Sequence, residues 1–166
     1  MREIKFRAWD KETEKMLMPD SNSDGEHIWQ FNGNGDIVIL AEGTKWKEGG
    51  GETYEETGFY PIDCALMQFT GLLHKNGKEI YEGDIFRQEK ETDEGDIRNY
   101  LVVFWVKQRA AFYLVDVCHL SILENNDCSD EKEFDWVFQD AALYDFSIDV
   151  GLPLAGNIYE HSHLLK

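Results

Sequence analysis

The sequence predicts a mainly β protein, built as a small SH3-like roll or barrel with additional N-terminal strands and little helix. Short segments alternate apolar and polar side chains with period two, and Asn-Gly turns separate several of them. Glycines (14) and aromatic residues (13%) are plentiful, whereas there are three prolines. This combination is typical of half-buried strands joined by tight turns, because Asn and Gly readily adopt the positive φ of hairpin turns.

The N-terminal segment has the clearest alternation. Residues 4–10 place the apolar Ile4, Phe6 and Ala8 on one face and the basic Lys5 and Arg7 on the other, which predicts a strand with one solvated face. Residues 1–18 carry five bases and four acids in an otherwise acidic chain. We interpret these charges as an ordinary solvated surface and not as a basic binding patch.

The next region predicts one hairpin and one loop. Two apolar runs, 27–31 and 36–40, flank Asn-Gly-Asn-Gly at 32–35 and indicate a β-hairpin. Residues 42–58 contain successive glycines and several acids, which predicts a mobile loop. A short buried strand is expected at 64–69.

Two turns and an acidic loop are expected next. Lys-Asn-Gly-Lys at 75–78 indicates a turn. At the second turn, we expect Gly83 to supply backbone freedom and Asp84 to cap the turn. Residues 89–96 predict an acidic loop.

Two long strands are predicted at 99–106 and 111–117, and the first is apolar on both faces. A strand of this kind must be covered on both sides. We expect the domain core on one side and either the N-terminal strands or a second subunit on the other. The second option makes one face of this strand the candidate self-association surface: Leu101, Val103 and Trp105.

The C-terminal half contains the predicted roll. Five strands between residues 79 and 159 suggest a small SH3-like sheet, with the last strand within 152–159. Residues 124–135 predict a further acidic loop, and 136–144 form the best helix candidate.

The formal charge of −17, from 33 acids and 16 bases, limits the partners of the chain. Nucleic acids and anionic membranes repel such a surface, so direct nucleic-acid or membrane binding is disfavoured. Three cysteines form no disulfide framework, and we expect them to be reduced thiols. We expect no signal peptide, because residues 1–5 lead into a charged strand and not into an apolar segment, and no apolar run is long enough to span a bilayer. We therefore expect a cytoplasmic protein.

No constellation of residues predicts chemistry, so we expect no catalytic residue, no cofactor and no metal site. Cys118 and His119 with Cys128, or His161 with His163, offer metal ligands, but their spacing is poor for zinc, and adjacent side chains of a strand point to opposite faces. No Gly-x-Ser-x-Gly motif is present. Cys64 could meet His74 or His119, but a cysteine in an apolar strand is usually an inert core residue.

Three segments together resemble the YopX family of phage and prophage proteins. They are Arg-Glu-Ile-Lys-Phe-Arg-Ala-Trp-Asp at 2–10, Leu-Met-Gln-Phe-Thr-Gly-Leu at 66–72 continuing through Asn-Gly-Lys-Glu-Ile-Tyr-Glu-Gly-Asp-Ile at 76–85, and Gly-Asn-Ile-Tyr-Glu at 156–160. Their order and spacing extend the resemblance over essentially the whole chain. The Leu73-His74 pair departs from the pattern, because a charged pair is commoner there.

The resemblance implies a phage-encoded protein of the bacterial cytoplasm with an SH3-type roll and no assigned activity. It implies one YopX-like domain over 1–166, with N-terminal strands and a hairpin in 1–70 and the roll with acidic loops in 71–166. It carries over no catalytic residue.

Three functions from different classes remain open. The first is a non-enzymatic interaction protein that self-associates as a homo-oligomer, with any host or phage protein partner unknown. The second is an acidic nucleic-acid mimic that occupies a host nucleic-acid-binding protein, which the charge of −17 motivates. The third is a hydrolase that uses carboxylates around a bound cation, and it predicts a deep pocket with converging acids.

Overall fold

A computed structural model describes residues 3–19, 27–49, 52–92, 95–107, 110–120 and 151–165. Three features of the sequence analysis lie outside these residues: the acidic loop predicted at 124–135, the helix predicted at 136–144, and Cys128. Within them, no helix is long and apolar enough to cross a membrane.

The structure confirms a mainly β fold and includes a curled half-barrel sheet. The eleven strands and the terminal 3-10 helix of the described residues are β1 (Phe6–Asp10), β2 (Lys15–Leu17), β3 (His27–Phe31), β4 (Ile37–Gly49), β5 (Glu52–Pro61), β6 (Cys64–Leu73), β7 (Glu79–Tyr81), β8 (Asp84–Thr92), β9 (Gly95–Val106), β10 (Ala111–Asp116), β11 (Leu154–Asn157) and the 3-10 helix Ser162–Leu165. The chain divides into two compact units, 6–66 and 1–5 with 67–166.

The 6–66 unit contains the predicted hairpin. β3 pairs with β4 in antiparallel register, with Phe31 opposite Ile37, and this confirms the hairpin around 32–35. The side-chain oxygen of Asn32 accepts hydrogen bonds from the backbone N–H groups of Asn34 and Asp36, both at 2.9 Å. One small apolar cluster lies in this unit: its buried side chains are Ala8, Leu17 and Ile39, and Trp29, Ile62 and Cys64 pack against them.

The mobile loop predicted at 42–58 is wrong at the described residues of this range, 42–49 and 52–58. β4 and β5 form a continuous antiparallel ladder through this region, with Gly49 opposite Glu52. Cross-strand pairs support it, because Lys47 forms an ion pair with Glu56 and the hydroxyls of Thr44 and Thr57 lie 3.3 Å apart. Such pairs stabilise a sheet, and they are not visible in a glycine count.

The first strand differs in part from its predicted alternation. Ala8 is fully buried, as expected, but Arg7 is also buried, and its predicted solvated position is wrong. Ile4, predicted to be buried, is 68% exposed, because β1 begins only at Phe6. Arg7 is only 6% exposed and its guanidinium Nε is buried, so the charged group is buried together with its stem, which a two-state polar and apolar pattern does not anticipate.

The other unit is built around a four-stranded sheet in the order β10-β9-β8-β11. β8 and β9 pair continuously from Ile85 opposite Val102 to Thr92 opposite Gly95. The acidic loop predicted at 89–96 is therefore wrong at residues 89–92 and 95–96, which are strand. The two long strands and the five strands between 79 and 159 are confirmed among the described residues.

The turn before β8 has the predicted form. Gly83 has φ of +78°, and the Asp84 carboxylate, 2% exposed, accepts a hydrogen bond from the backbone N–H of Tyr81 at 2.9 Å. The backbone N–H of Gly83 donates to the carbonyl of Val103 at 2.8 Å, and its carbonyl accepts from the N–H of Ile158 at 2.9 Å. The turn thus joins β9 and the C-terminal segment.

A second carboxylate organises the turn after β1. Asp10 is 4% exposed, and it accepts hydrogen bonds from the N–H of Glu12 at 2.9 Å and from the hydroxyl of Thr13 at 2.6 Å. Burial alone raises the pKa of this carboxyl, but these hydrogen bonds and the nearby His27 outweigh it and lower the pKa below its usual value.

We expect Gly83→Ala to destabilise the fold more than Gly77→Ala. Both glycines have a φ near +80°, at +78° and +83°, so both substitutions cost about 1 kcal/mol of backbone strain. A Cβ at position 83 would also lie 3.2 Å from Ile158 Cγ1, whereas position 77 has open space. Urea unfolding measures the difference, and equal losses would contradict this packing argument.

We expect Asp10→Asn to lower the free energy of unfolding by about 1–2 kcal/mol at pH 7, because hydrogen bonds to an ionised group are strong. Because the folded pKa is depressed, this stabilisation is present above the unfolded pKa and is lost as the pH falls through the folded pKa. The difference between wild type and variant, measured by urea unfolding, should therefore shrink towards pH 3.

The matched control for Asp10→Asn is Asp63→Asn, since the Asp63 side chain is 77% exposed and pairs only with Lys11 among the ion pairs described. We expect little change at either pH, as for most exposed pairs. A pH-independent difference for Asp10→Asn would show that its carboxylate is not ionised in the folded state.

Candidate functional site

The predicted self-association residues lie within the fold of one chain. Leu101 (1% exposed) and Val103 (0%) belong to a buried cluster on one face of β9, with Ile80, Phe86 and Leu114. Trp105 is half-buried and packs edge-on against Phe112, with ring centroids 4.9 Å apart.

The opposite face of β9 is covered as well. Val102 packs in a second cluster with Ile85 and Leu120, and against it lie Leu164 and Leu165 of the C-terminal 3-10 helix. The chain's own residues thus supply both covers. The second cover was expected from either the N-terminal strands or a second subunit, and residues 152–165 contribute to both covers instead. Self-association itself stays a prediction.

A more exposed surface is the outer part of the β4–β5 hairpin. We call residues 42–49 and 52–59 the hairpin arm. Its large side chains face solvent, with Trp46 69%, Tyr54 50% and Phe59 42% exposed. Sequence reasoning missed this surface because it predicted a loop here.

The two faces of the arm differ in charge. Directly opposed residues share a face, so Trp46, Phe59 and the Thr44–Thr57 pair lie on one face together with three glutamates: Glu42, Glu48 and Glu55. The other face of the arm carries Tyr54 with two lysines and two glutamates, Lys45, Lys47, Glu52 and Glu56, and Tyr60 continues this face just beyond the arm. Lys45 Nζ lies 4.1 Å from the centroid of the Tyr60 ring.

A groove of about 880 Å³ lies at the base of the arm. Charged and hydroxyl side chains line it, among them Asp10, Glu12, His27, Glu42 and Lys45. The Asp10 oxygens already accept hydrogen bonds from Glu12 and Thr13, so this carboxylate stabilises a turn and does not point towards acid–base work.

Cys64 lacks the surroundings of a reactive thiol. Burial raises its pKa, and the carboxylates of Asp63 and Asp10 raise it further, which lowers the fraction of nucleophilic thiolate. His74, proposed as one partner, contacts Asn76 Oδ1 at 2.8 Å and the Leu152 carbonyl at 2.9 Å. The His74 side chain, where the sequence departs from the family pattern, is therefore buried and contacts the C-terminal segment at Leu152.

Cys118 and His119 lie where the chain leaves β10. Residues 117–120 are helical, and the two side chains meet, with Cys118 Sγ 3.1 Å from His119 Nδ1. The prediction that they point to opposite faces of a strand is wrong for this reason. Asp116, which sequence reasoning did not consider, completes a group whose ligand atoms all lie within 4.8 Å of one another.

The Asp116 carboxylate also contacts the Cys118 backbone, whose N–H donates to Asp116 Oδ1 at 3.0 Å. Partial desolvation and this carboxylate raise the pKa of the Cys118 thiol to about 11. The other proposed pair, His161 and His163, has ring centroids 6.0 Å apart.

Comparison with solved structures finds a similar fold in protein EF1440 from Enterococcus faecalis, known from a crystal structure. The TM-score is 0.53 at 23% sequence identity, and the match covers 100% of both chains, which shows a shared fold. No curated protein matches the chain. The model of the YopX protein family matches residues 5–166. The chain therefore belongs to the YopX family, as its three sequence segments suggest.

Proposed function

We propose that this chain is a phage- or prophage-encoded, non-enzymatic interaction protein of the bacterial cytoplasm, and that it self-associates through the hairpin arm. The observation that carries the proposal is the exposure of the arm on both faces. A two-stranded hairpin is marginally stable in water by itself, and exposed aromatic side chains favour a contact that covers them.

The β5 edge is the part of the arm that fits a second copy. β4 pairs with one side of β5, and no other described strand pairs with its outer side. The backbone N–H and C=O groups along this outer edge can therefore pair with an added strand. A second β5, placed antiparallel by a two-fold axis, would extend the sheet from three strands to six.

Charge selects the register of such a pairing. Two chains of charge −17 repel each other, so like charges should not face each other at the contact. A two-fold axis at Thr57 places Thr57 opposite its copy, Glu56 opposite Gly58 and Glu55 opposite Phe59. Tyr54 then lies opposite Tyr60. In the neighbouring register, centred on Glu56, two carboxylates would meet.

The acidic decoy is the weaker alternative. It requires unpaired carboxylates at phosphate-like spacing, but in the β8–β9 hairpin Glu89 Oε1 lies 3.2 Å from Arg87 Nε and 3.8 Å from Arg98 Nε. This local neutralisation works against mimicry of a polyanion. The hydrolase alternative gains no support from Asp10, because turn hydrogen bonds occupy its oxygens.

We expect Thr57→Lys to weaken self-association by about tenfold or more. Two ammonium groups would then face each other across the two-fold axis, and like charges directly opposed across strands are destabilising. Repulsion of about 1.4–2.8 kcal/mol corresponds to roughly a ten- to hundredfold change in Kd. Light scattering after size-exclusion chromatography, over a concentration series, measures the mass.

The matched control is Thr53→Lys, because Thr53 is also exposed and lies on the same face of β5. This substitution changes the net charge by the same amount as Thr57→Lys. In the proposed register it lies opposite Pro61 and away from the axis, so we expect dimerisation to persist. Wild type that remains monomeric at high concentration, or equal effects of both variants, contradicts the proposal. If Trp105→Ala dissociates the oligomer and the arm variants do not, the self-association contact lies on β9 and not on the arm.

A further inference from the structure

The group formed by Asp116, Cys118 and His119 combines three kinds of metal ligand. It offers a carboxylate oxygen, a thiol sulfur and an imidazole nitrogen, and these atoms lie within 4.8 Å of one another. Asp116 ends β10, and Cys118 and His119 follow in a helical turn. Three ligands within four residues place the site on one short stretch of backbone.

The distance between the Cys118 sulfur and the nearer His119 nitrogen, 3.1 Å, is close to that in a tetrahedral zinc site, and the Asp116 carboxylate lies within 4.8 Å of both atoms. Zinc binds sulfur at about 2.3 Å and nitrogen or oxygen at about 2.0–2.1 Å, so its ligand atoms are roughly 3.3–3.6 Å apart. Cys118 Sγ lies 3.1 Å from His119 Nδ1 but 4.0 Å from His119 Nε2, which identifies Nδ1 as the nitrogen nearer the site.

The Asp116 carboxylate can contribute an oxygen without losing its structural contact. Oδ1 accepts the N–H of Cys118 at 3.0 Å, and a carboxylate has further lone pairs on both oxygens. This hydrogen bond holds the carboxylate beside the thiol. The three ligands are thus gathered by the local backbone before any ion binds, which reduces the ordering that binding requires.

We propose that Asp116, Cys118 and His119 bind a thiophilic divalent cation, with Zn²⁺ as the best fit. A mixed sulfur, nitrogen and oxygen set favours zinc over Ca²⁺ and Mg²⁺, which prefer oxygen ligands alone. On binding, the S–H bond of Cys118 breaks, the S–Zn bond forms and one proton leaves to solvent. Cys118 is exposed, so water can occupy the fourth position.

Co²⁺ replaces Zn²⁺ in such sites and gives a direct test, because a thiolate ligand produces a charge-transfer absorption band in the near ultraviolet. We expect titration of the full chain under reducing conditions to give this band at one Co²⁺ per chain, and Zn²⁺ to abolish it by displacement. Absence of the band at saturating Co²⁺ would overturn the proposal.

Substitutions assign the ligands. We expect Cys118→Ser to remove the band, and His119→Ala and Asp116→Asn each to weaken Zn²⁺ binding at least tenfold, with the fold checked by circular dichroism. Cys64→Ser is the control thiol and should leave the band unchanged. A band that survives Cys118→Ser, or that depends on Cys64 or Cys128, would overturn the assignment. Substitutions in the hairpin arm do not change the three ligand residues. A negative result for metal binding can therefore be told apart from a negative result for self-association.

Discussion

The turn at Gly83 and Asp84 is the contact on which the 67–166 unit depends most. Both backbone groups of Gly83 are used, the N–H by Val103 on β9 and the carbonyl by Ile158 after β11, and the Asp84 carboxylate holds Tyr81. A residue with a Cβ would meet Ile158 there and would have to adopt a positive φ. One glycine therefore connects parts of the chain that are 20 and 75 residues away.

This contact gives a physical meaning to the family resemblance. The segments at 76–85 and 156–160 meet through Gly83 and Ile158, and the N-terminal segment reaches the same unit through Lys5. The carbonyl of Lys5 accepts from the N–H of Phe69 at 2.9 Å, and its ammonium lies 2.5 Å from Glu79. The motifs that mark the family thus supply contacts that form the fold.

The sequence predicted what local chemistry dictates. Asn32, Gly83 and Asp84 act through their own turns, and the two-sided apolar pattern of β9 correctly required two covers. It did not predict which residues supply those covers, because Leu152, Leu164 and Leu165 come from over 45 residues away. It also failed at 42–58, where pairs such as Thr44 with Thr57 appear only after the register is known. The side-chain directions of Cys118 and His119 were predicted wrongly because strand alternation was applied to them, whereas β10 ends at Asp116 and a helical turn follows.

A surface that binds a partner must be exposed in the single chain, and this condition separates the hairpin arm from the buried face of β9. Leu101 and Val103 are already buried in the core of one chain, and burial of such side chains stabilises the fold by about 1.5–3 kcal/mol each. These two residues therefore gain no further burial from a partner. An exposed Trp46 gives no such stabilisation in one chain. The exposed aromatic side chains of the hairpin arm are buried only when another protein surface contacts the arm. The backbone groups along the edge of β5 would orient that surface by pairing with it.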